Sequence, residues 1–195
     1  MKNSLIIILF SYFFLQSLSL AQNFKFETTN IEILESGNLI YATKGKATSS
    51  DGDIEIDAKN FEYNKELATL KAEGDGLAFI NSENIKIEFD NALIDENKLT
   101  FNANGNIKII ELEKNFIIET ESVIYDKGNR FIKSSTKTMM KDNQNNIYSA
   151  DNFFYEINKN LLKLENVNFN DFKNNKFYTS LAYINTETNK LHGKD

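Results

Sequence analysis

The chain has 195 residues, with 22 Lys and Arg against 28 Asp and Glu, one His, and no Cys, Pro or Trp. Without Cys it can form no thiol nucleophile, disulfide framework or Cys-based zinc or iron–sulfur site, and a lone imidazole, His192, argues against a Ser-His triad or a multi-His metal centre. The net charge of −6 argues against nucleic acid as a partner, because phosphate backbones are bound by clustered Lys and Arg.

The first element is an N-terminal segment with the features of an export signal. Lys2 supplies a positive charge, the stretch from Leu5 to Leu20 is mostly apolar, and Ser19-Leu20-Ala21 places small residues at a cleavage site. Residues 1–21 are therefore predicted to be a cleaved signal peptide, and the product, which has no Cys to carry a lipid, is expected to be soluble outside the inner membrane. The alternative is a retained membrane anchor, but polar residues interrupt a stretch already shorter than the ~20 apolar residues of a spanning helix.

The rest of the chain repeats with a period of about thirty residues. One apolar position recurs at intervals of 30, 31, 31, 30 and 28 residues, at Ile33, Tyr63, Ile94, Tyr125, Tyr155 and Tyr183. A second bulky apolar residue follows the first five of these after seven residues and the last after eight: Ile40, Leu70, Phe101, Ile132, Leu162 and Leu191. A repeated unit that cannot bury its own apolar face predicts a stack of units.

Within a unit, apolar residues alternate with polar ones, which is typical of β-strands. Residues 54–63 and 85–94 share this alternation, and each breaks it with one step of three, as from Ala58 to Phe61. A step of three indicates a β-bulge. The positions between the apolar residues are mostly charged, so each strand is expected to have one wet face and one dry face.

Turn signals recur at fixed places in the unit, and no helical periodicity of useful length follows the signal segment. The predicted fold is therefore all-β: a single elongated domain, residues 22–195, formed by a solenoid-like stack of strand repeats with two to four strands per unit. The last unit stops near Gly193, where earlier units continue into the next. We therefore expect either an unpaired sheet edge that is open to another chain or a fragment of a longer protein.

Two stretches carry a resemblance to a known family. The segment IEIDAKNFEYNKELATLKAEG at 54–74 and its weaker repeat IKIEFDNALIDENKLTFNANG at 85–105 resemble the OstA-like domain of lipopolysaccharide transport, found in the LptA family and in the N-terminal periplasmic part of LptD. The resemblance covers residues 24–195. It implies a twisted β-jellyroll, open along one side, whose apolar interior holds the acyl chains of lipopolysaccharide. It also implies end-to-end strand pairing with further copies or with other OstA-like domains.

The resemblance implies a non-enzymatic bridging protein of the periplasm that needs no cofactor. LptD-like proteins often carry disulfides near this domain, whereas LptA-like proteins manage without cysteines, as this chain does. An LptD-like chain that stops at residue 195 would be only the N-terminal fragment of an outer-membrane protein. Both forms of the resemblance stay open.

Residues predicted to face the interior are the candidate lipid contacts, although plain core packing is the simpler role for any one of them. They are Phe26, Ile31, Ile33, Ile54, Ile56, Phe61, Tyr63, Ile85, Ile87, Phe89, Ile94, Phe101, Phe116, Ile118, Tyr125, Phe153 and Tyr155. The acidic turns Asp51-Gly52-Asp53 and Glu73-Gly74-Asp75 lack the alternating ligands of a calcium loop, so no metal site is predicted.

Two other functions are compatible with an exported strand repeat. One is a structural or adhesive β-solenoid, and the other is a solenoid enzyme that acts on polysaccharide through the carboxylates of its charged face. The three functions differ in what they require of the structure. A lipid carrier needs an unfilled apolar slot, a structural solenoid closes on itself, and an enzyme needs converging carboxylates.

Overall fold

The computed structural model describes residues 24–194, so the predicted signal peptide, residues 1–21, lies outside the described residues. The described chain is all-β, as predicted, and its fourteen strands form one antiparallel sheet. The strands are β1 Phe24–Leu34, β2 Leu39–Ser49, β3 Ile54–Asn64, β4 Thr69–Ile80, β5 Ile85–Asp95, β6 Thr100–Glu111, β7 Phe116–Asp126, β8 Phe131–Ser134, β9 Thr138–Lys141, β10 Ile147–Ala150, β11 Asn152–Glu156, β12 Leu161–Asn170, β13 Lys176–Asn185 and β14 Lys190–Lys194. Single 3₁₀ turns occupy Glu35–Gly37, Asn81–Glu83 and Ile157–Lys159.

The strands follow one another as an up-and-down meander. From β1 to β7, each strand pairs with the next. After β7 the sheet continues as two rows of short strands. Strands β8 and β9 both pair with β7. Strand β11 then pairs with β8, and β10 pairs with β9. Strand β12 pairs with both β11 and β10, and β13 and β14 complete the sheet. One repeat is therefore, in its regular part, a pair of long antiparallel strands.

The repeated apolar positions are cross-strand partners. Tyr63, for example, lies opposite Leu70, the residue that follows it by seven. In the last unit the partner of Leu191 is Ile184, not Tyr183. Ile184 is buried while Tyr183 is half-exposed on the outer face, so the assignment of Tyr183 to the repeated inward position is wrong by one residue. A strand shifted by one residue exchanges its inner and outer faces.

Register shifts accompany the predicted steps of three, but between the pairs Asp57–Leu77 and Asn60–Glu73 the extra residue belongs to β4 and not to β3. The strand register shifts between Asp57 and Asn60 in β3, between Glu88 and Asn91 in β5, and at matching places in β4 and β6. A bulged strand bends, and the row of bulges divides the sheet into two arms. Arm A is the half that ends in the turns at 35–38, 65–68, 96–99, 127–130, 157–160 and 186–189, and arm B is the half that ends in the turns at 50–53, 81–84, 112–115, 142–146 and 171–175.

The two arms face each other across the apolar core. Phe24 in arm B contacts the ring of Tyr63 in arm A, with 5.6 Å between the ring centroids. Phe26 and Phe61 make a similar contact at 5.9 Å. The outer faces carry ion pairs between neighbouring strands, as the charged alternate positions predict. The sheet is thus folded over, with its dry face inside.

The arms are offset along the sheet. Arg130 of arm A is bonded to Glu83 of arm B, and Asn189 of arm A donates to Asn143 of arm B. In both cases the arm B residue comes earlier in the chain, by 47 and 46 residues respectively. Among the described residues, arm A of the first strands therefore has no part of arm B opposite it. Likewise, arm B of the last strands has no part of arm A opposite it. Within residues 24–194, β1 and β14 also pair with a neighbour on one side only.

Candidate functional site

The structure places most of the predicted site residues in the interior. Phe26 is only half-buried, packed against the core, while Ile31 and Ile33 are 52% and 58% exposed. The other fourteen are buried, with exposed fractions of 6% or less: Ile54, Ile56, Phe61, Tyr63, Ile85, Ile87, Phe89, Ile94, Phe101, Phe116, Ile118, Tyr125, Phe153 and Tyr155.

Ile31 and Ile33 lie on the predicted face but are not covered. Ile31 pairs with Ala42 and Ile33 pairs with Ile40, and both partners are buried. Directly opposed residues of antiparallel strands point to the same side of the sheet, so both isoleucines belong to the inner face. They are exposed because the offset of the arms places no described strand opposite arm A of β1. An apolar end of the inner face is therefore open to solvent here.

The interior itself is filled by side chains. Between β5, β6, β7 and β12 it holds a cavity of about 10 Å³, lined by residues such as Ile109, Phe116 and Leu162. A space of this size barely accommodates one water molecule. The groove open along one side, which the family resemblance implies, is therefore closed at this level of the sheet, and the predicted residues there act as core.

One opening does lead from the surface to interior side chains, and we call it the side slot. It is a partly open cavity of about 80 Å³ between the arm B turn at 50–53 and the arm A turn at 96–99. Its apolar wall contains four predicted site residues, together with Phe24 and Leu99; the four are Ile54, Ile94, Phe101 and Tyr125. Asp51 and Lys127 stand at its polar rim. The slot therefore joins an apolar wall of core side chains to a polar rim.

An ion-pair cluster joins the two arms at this rim. The Lys127 ammonium of arm A lies 2.6 Å from Asp51 Oδ2 and 2.8 Å from Asp53 Oδ2 of arm B. The hydrogen bond from Lys127, with a second from the Ser49 hydroxyl, lowers the pKa of Asp51 to about 2. Burial alone would raise the pKa of Asp53, but hydrogen bonds from Lys127 and Ser82 outweigh it and the pKa is lowered. Both carboxylates are therefore ionised at neutral pH.

A second contact between the arms lies beside the first. Arg130 donates from Nε and Nη2 to the two carboxylate oxygens of Glu83, each at 2.8 Å. The Glu83 side chain is only 3% exposed. A bidentate bond to a desolvated carboxylate is stronger and more rigid than an exposed Lys–Asp pair. The Tyr125 phenol is buried next to this cluster, and burial raises its pKa, so it stays neutral.

The Asp51-Gly52-Asp53 turn uses its carboxylates to bind Lys127 rather than to converge on an open cation position. Gly52 supplies the left-handed backbone conformation of the turn, with φ at +72°. In the part of the chain that the structure describes, no group of three or more His, Asp or Glu is arranged to hold a metal ion.

The sequence pattern indicates only some of the residues that line the side slot and misses Phe24, Leu99 and Lys127. Phe24 continues the period-two pattern of Phe26, so the pattern could have placed it among the inward candidates. Leu99 and Lys127 lie in turns, where no periodicity marks the inward direction, and Lys127 meets its partner Asp51 only because the arms fold together 76 residues apart.

Neither protein-family models nor curated proteins give a match to this chain. Within residues 24–194, no helix is long and apolar enough to cross a membrane. Function therefore has to be inferred from the interior, the side slot and the two ends of the sheet.

Proposed function

We propose that the protein is a non-enzymatic periplasmic carrier that binds lipopolysaccharide and bridges it towards the outer membrane, with the folded-over sheet serving as an OstA-like jellyroll. The observation that carries the proposal is the side slot, a partly open cavity of about 80 Å³ whose wall includes Ile94 and Phe101 of the core. The repeat texture of residues 54–74 and 85–105 gives independent support through its resemblance to OstA-like domains.

The closed interior is the unloaded state in this proposal. An acyl chain of about twelve carbons loses on the order of 10 kcal/mol when left in water, at about 0.8 kcal/mol per methylene. The pair of Lys127 with the exposed Asp51 contributes only about 0–1 kcal/mol. The pair with Asp53, which is mostly buried, adds at most about 3–5 kcal/mol. Transfer of one such chain from water into the interior therefore outweighs the ion pairs that break when the arms separate at the rim.

The two ends of the sheet support the bridging role. The inner face is uncovered at Ile31 and Ile33, in arm A, and again at Phe177 of β13, in arm B. The edges of β1 and β14 that have no partner strand within residues 24–194 lie at these same two ends. End-to-end pairing of copies, or pairing with another OstA-like domain, would cover both apolar ends and continue the interior from one domain to the next.

The same reasoning applies to the N-terminal periplasmic part of an LptD-like protein, associated with the outer membrane, which is the alternative within this proposal. A second function is favoured by a different observation. The 10 Å³ cavity between β5, β6, β7 and β12 suits a structural or adhesive β-solenoid that binds no lipid.

Photocrosslinking distinguishes these functions. A p-benzoylphenylalanine residue is placed at the inward positions Phe61, Ile87 or Phe101, the protein is mixed with purified lipopolysaccharide and irradiated, and adducts are detected by a lipid A antibody after electrophoresis. Lipid carriage predicts adducts at Phe101, which lines the slot, and at one or both of the deeper positions. The structural solenoid predicts none.

The matched controls are outward neighbours on the same strands. Glu62 is adjacent to Phe61 and Lys86 to Ile87, and both side chains point away from the core. Equal labelling at inward and outward positions would indicate surface adsorption and contradict the proposal. Circular dichroism of each variant verifies that the sheet has formed.

A further inference from the structure

The turn at 127–130 makes two unlike contacts with arm B. Arg130 holds the nearly buried carboxylate of Glu83 through two hydrogen bonds. Lys127 holds Asp51, whose side chain is 56% exposed, and also Asp53. The first contact is bidentate on a carboxylate that is 3% exposed, and its Arg130 side chain is 46% exposed. In the second, Lys127 is 29% exposed and binds one carboxylate that is mostly buried, that of Asp53 at 11%, and one that is exposed, that of Asp51. The single bond between Lys127 and Asp51 is therefore more open to water than the bidentate bond and exchanges more readily with other ions.

Lys127 lies at the side slot, so the difference between its ion pairs and the Arg130–Glu83 contact bears on access to the interior. Lys127 and Asp51 both line the side slot, but Arg130 and Glu83 do not. The exchangeable pair therefore spans the mouth of the slot, and the rigid pair joins the arms next to it. Loss of the Lys127 ion pairs would free the rim while Arg130 keeps the arms aligned.

We propose that Lys127 and its two aspartates form an ionic latch across the side slot, and that release of the latch admits a fatty acyl chain to the interior. The inference rests on the proposed function and adds the route by which the lipid enters. Arg130 and Glu83 act as the fixed point about which the rim opens.

Charge suggests what releases the latch. Among the described residues, the Lys127 ammonium contacts the carboxylates of Asp51 and Asp53. An anionic headgroup carries the same kind of oxygen acceptor. A lipid that approaches the slot with such a headgroup replaces the exposed Asp51 on Lys127 and breaks the bridge between the arms. An uncharged amphiphile has no group to make this exchange and is expected to enter more slowly.

The chain has no cysteine, so engineered cysteines can be linked without side reactions. Asp51→Cys and Lys127→Cys are combined and the pair is joined by a short bismaleimide. Entry is followed in stopped flow with 11-(dansylamino)undecanoic acid, whose fluorescence rises in an apolar site. We expect the linked protein to bind the probe about tenfold more slowly than wild type, because the rim cannot open. The unlinked double variant, which lacks the latch, is expected to bind about two- to fivefold faster than wild type.

Lys98→Ala is the matched control. Lys98 pairs with Asp95 of its own arm at 2.7 Å, so its loss removes a nearby ion pair without separating the arms. Its binding rate should equal that of wild type. The methyl ester of the probe, which is uncharged, should bind wild type more slowly than the acid and should lose this disadvantage in the unlinked variant.

The outcomes separate the latch from the proposed function. Equal rates for the linked and unlinked proteins, with binding retained, would overturn the latch and leave lipid carriage standing. Equal acceleration by Lys98→Ala would also overturn it, because the effect would then be one of local charge. If no form binds the probe and no interior position crosslinks to lipopolysaccharide, both proposals fall together.

Discussion

The ring of Phe24 packs edge-on against that of Tyr63, with 5.6 Å between centroids, although the two residues lie near opposite ends of their strands. The contact exists only because the sheet folds over at its bulges, so it is a direct probe of that closure. Both side chains are almost fully buried. Phe24 also belongs to the wall of the side slot, which connects closure of the fold with access to the interior.

Phe24→Ala is expected to lower the free energy of unfolding by about 3–5 kcal/mol, the range for loss of a fully buried aromatic ring. Urea denaturation followed by circular dichroism measures the change. Lys25→Ala is the control, because Lys25 is exposed on the other face of the same strand. A loss for Phe24→Ala no larger than for the control would contradict the contact between the arms.

The corrected register of β13 predicts opposite sensitivities at adjacent residues. Ile184→Ala should lower the free energy of unfolding by about 2–5 kcal/mol, because Ile184 fills the core opposite Leu191. Tyr183→Ala removes a half-exposed ring on the outer face and should lower it by less than about 1.5 kcal/mol. The reverse order in urea denaturation would restore the register that the repeat spacing predicts.

Gly45 lies where two strands approach closely. A Cβ built there would stand 2.1 Å from the backbone carbonyl oxygen of Glu27, which cannot move without disturbing the pairing of β1 and β2. Gly45→Ala is therefore expected to destabilise the fold by at least about 1–3 kcal/mol, measured as a lower urea midpoint. Gly128→Ala serves for comparison, since a Cβ there makes only ordinary contacts, at 3.5 Å or more. Equal midpoints for the two variants would show that β1 is not tightly paired.

The uncovered end of the inner face is predicted to drive self-association. Replacing both Ile31 and Ile33 by Ser should shift concentrated protein from oligomers to monomers in sedimentation velocity, with little change in thermal stability, because both side chains are already exposed. Met139→Ser is the control, since Met139 is equally exposed but points outward from arm B. Wild-type protein that stays monomeric at every accessible concentration would refute end-to-end pairing.

The Asp51 ion pair at the rim of the slot should contribute less to the stability of the fold in acid. The pKa of Asp51 is about 2 in the folded protein against an ordinary value of 3.8, so its ionised form stabilises the fold above pH 4 and this contribution is lost as the pH falls towards 2. The difference in urea midpoint between wild type and Asp51→Asn should therefore be full at pH 6 and nearly absent at pH 2. A difference that is constant over this range would show that Asp51 does not act through its charge.

Local features of the fold could be predicted because they depend on alternation along one strand. The step from Ala58 to Phe61 indicates the bulge, and the spacing of Tyr63 and Leu70 indicates a pair across a tight turn. The repeat spacing misplaces Tyr183 because the final interval is shorter, and an aromatic residue next to Ile184 fits either face. The repeat therefore determines strands and neighbours wherever its spacing is regular.

The contacts between the arms could not be predicted in this way. Lys127 and Asp51 are far apart in the chain and meet through the twist and bend of the whole sheet, which no local pattern encodes. The sequence also does not indicate how fully side chains fill the interior, because an inward Phe116 has the same sequence pattern beside a lipid as beside another side chain. The side slot therefore emerges only from the folded arrangement.

The offset between the arms is unchanged when the sheet is lengthened by whole repeats. Insertion of one thirty-residue unit in the middle adds two strands, or about 10 Å of length, and leaves both ends unchanged. Duplicating or deleting units thus changes the length of the sheet without changing the offset ends that the proposed end-to-end pairing uses.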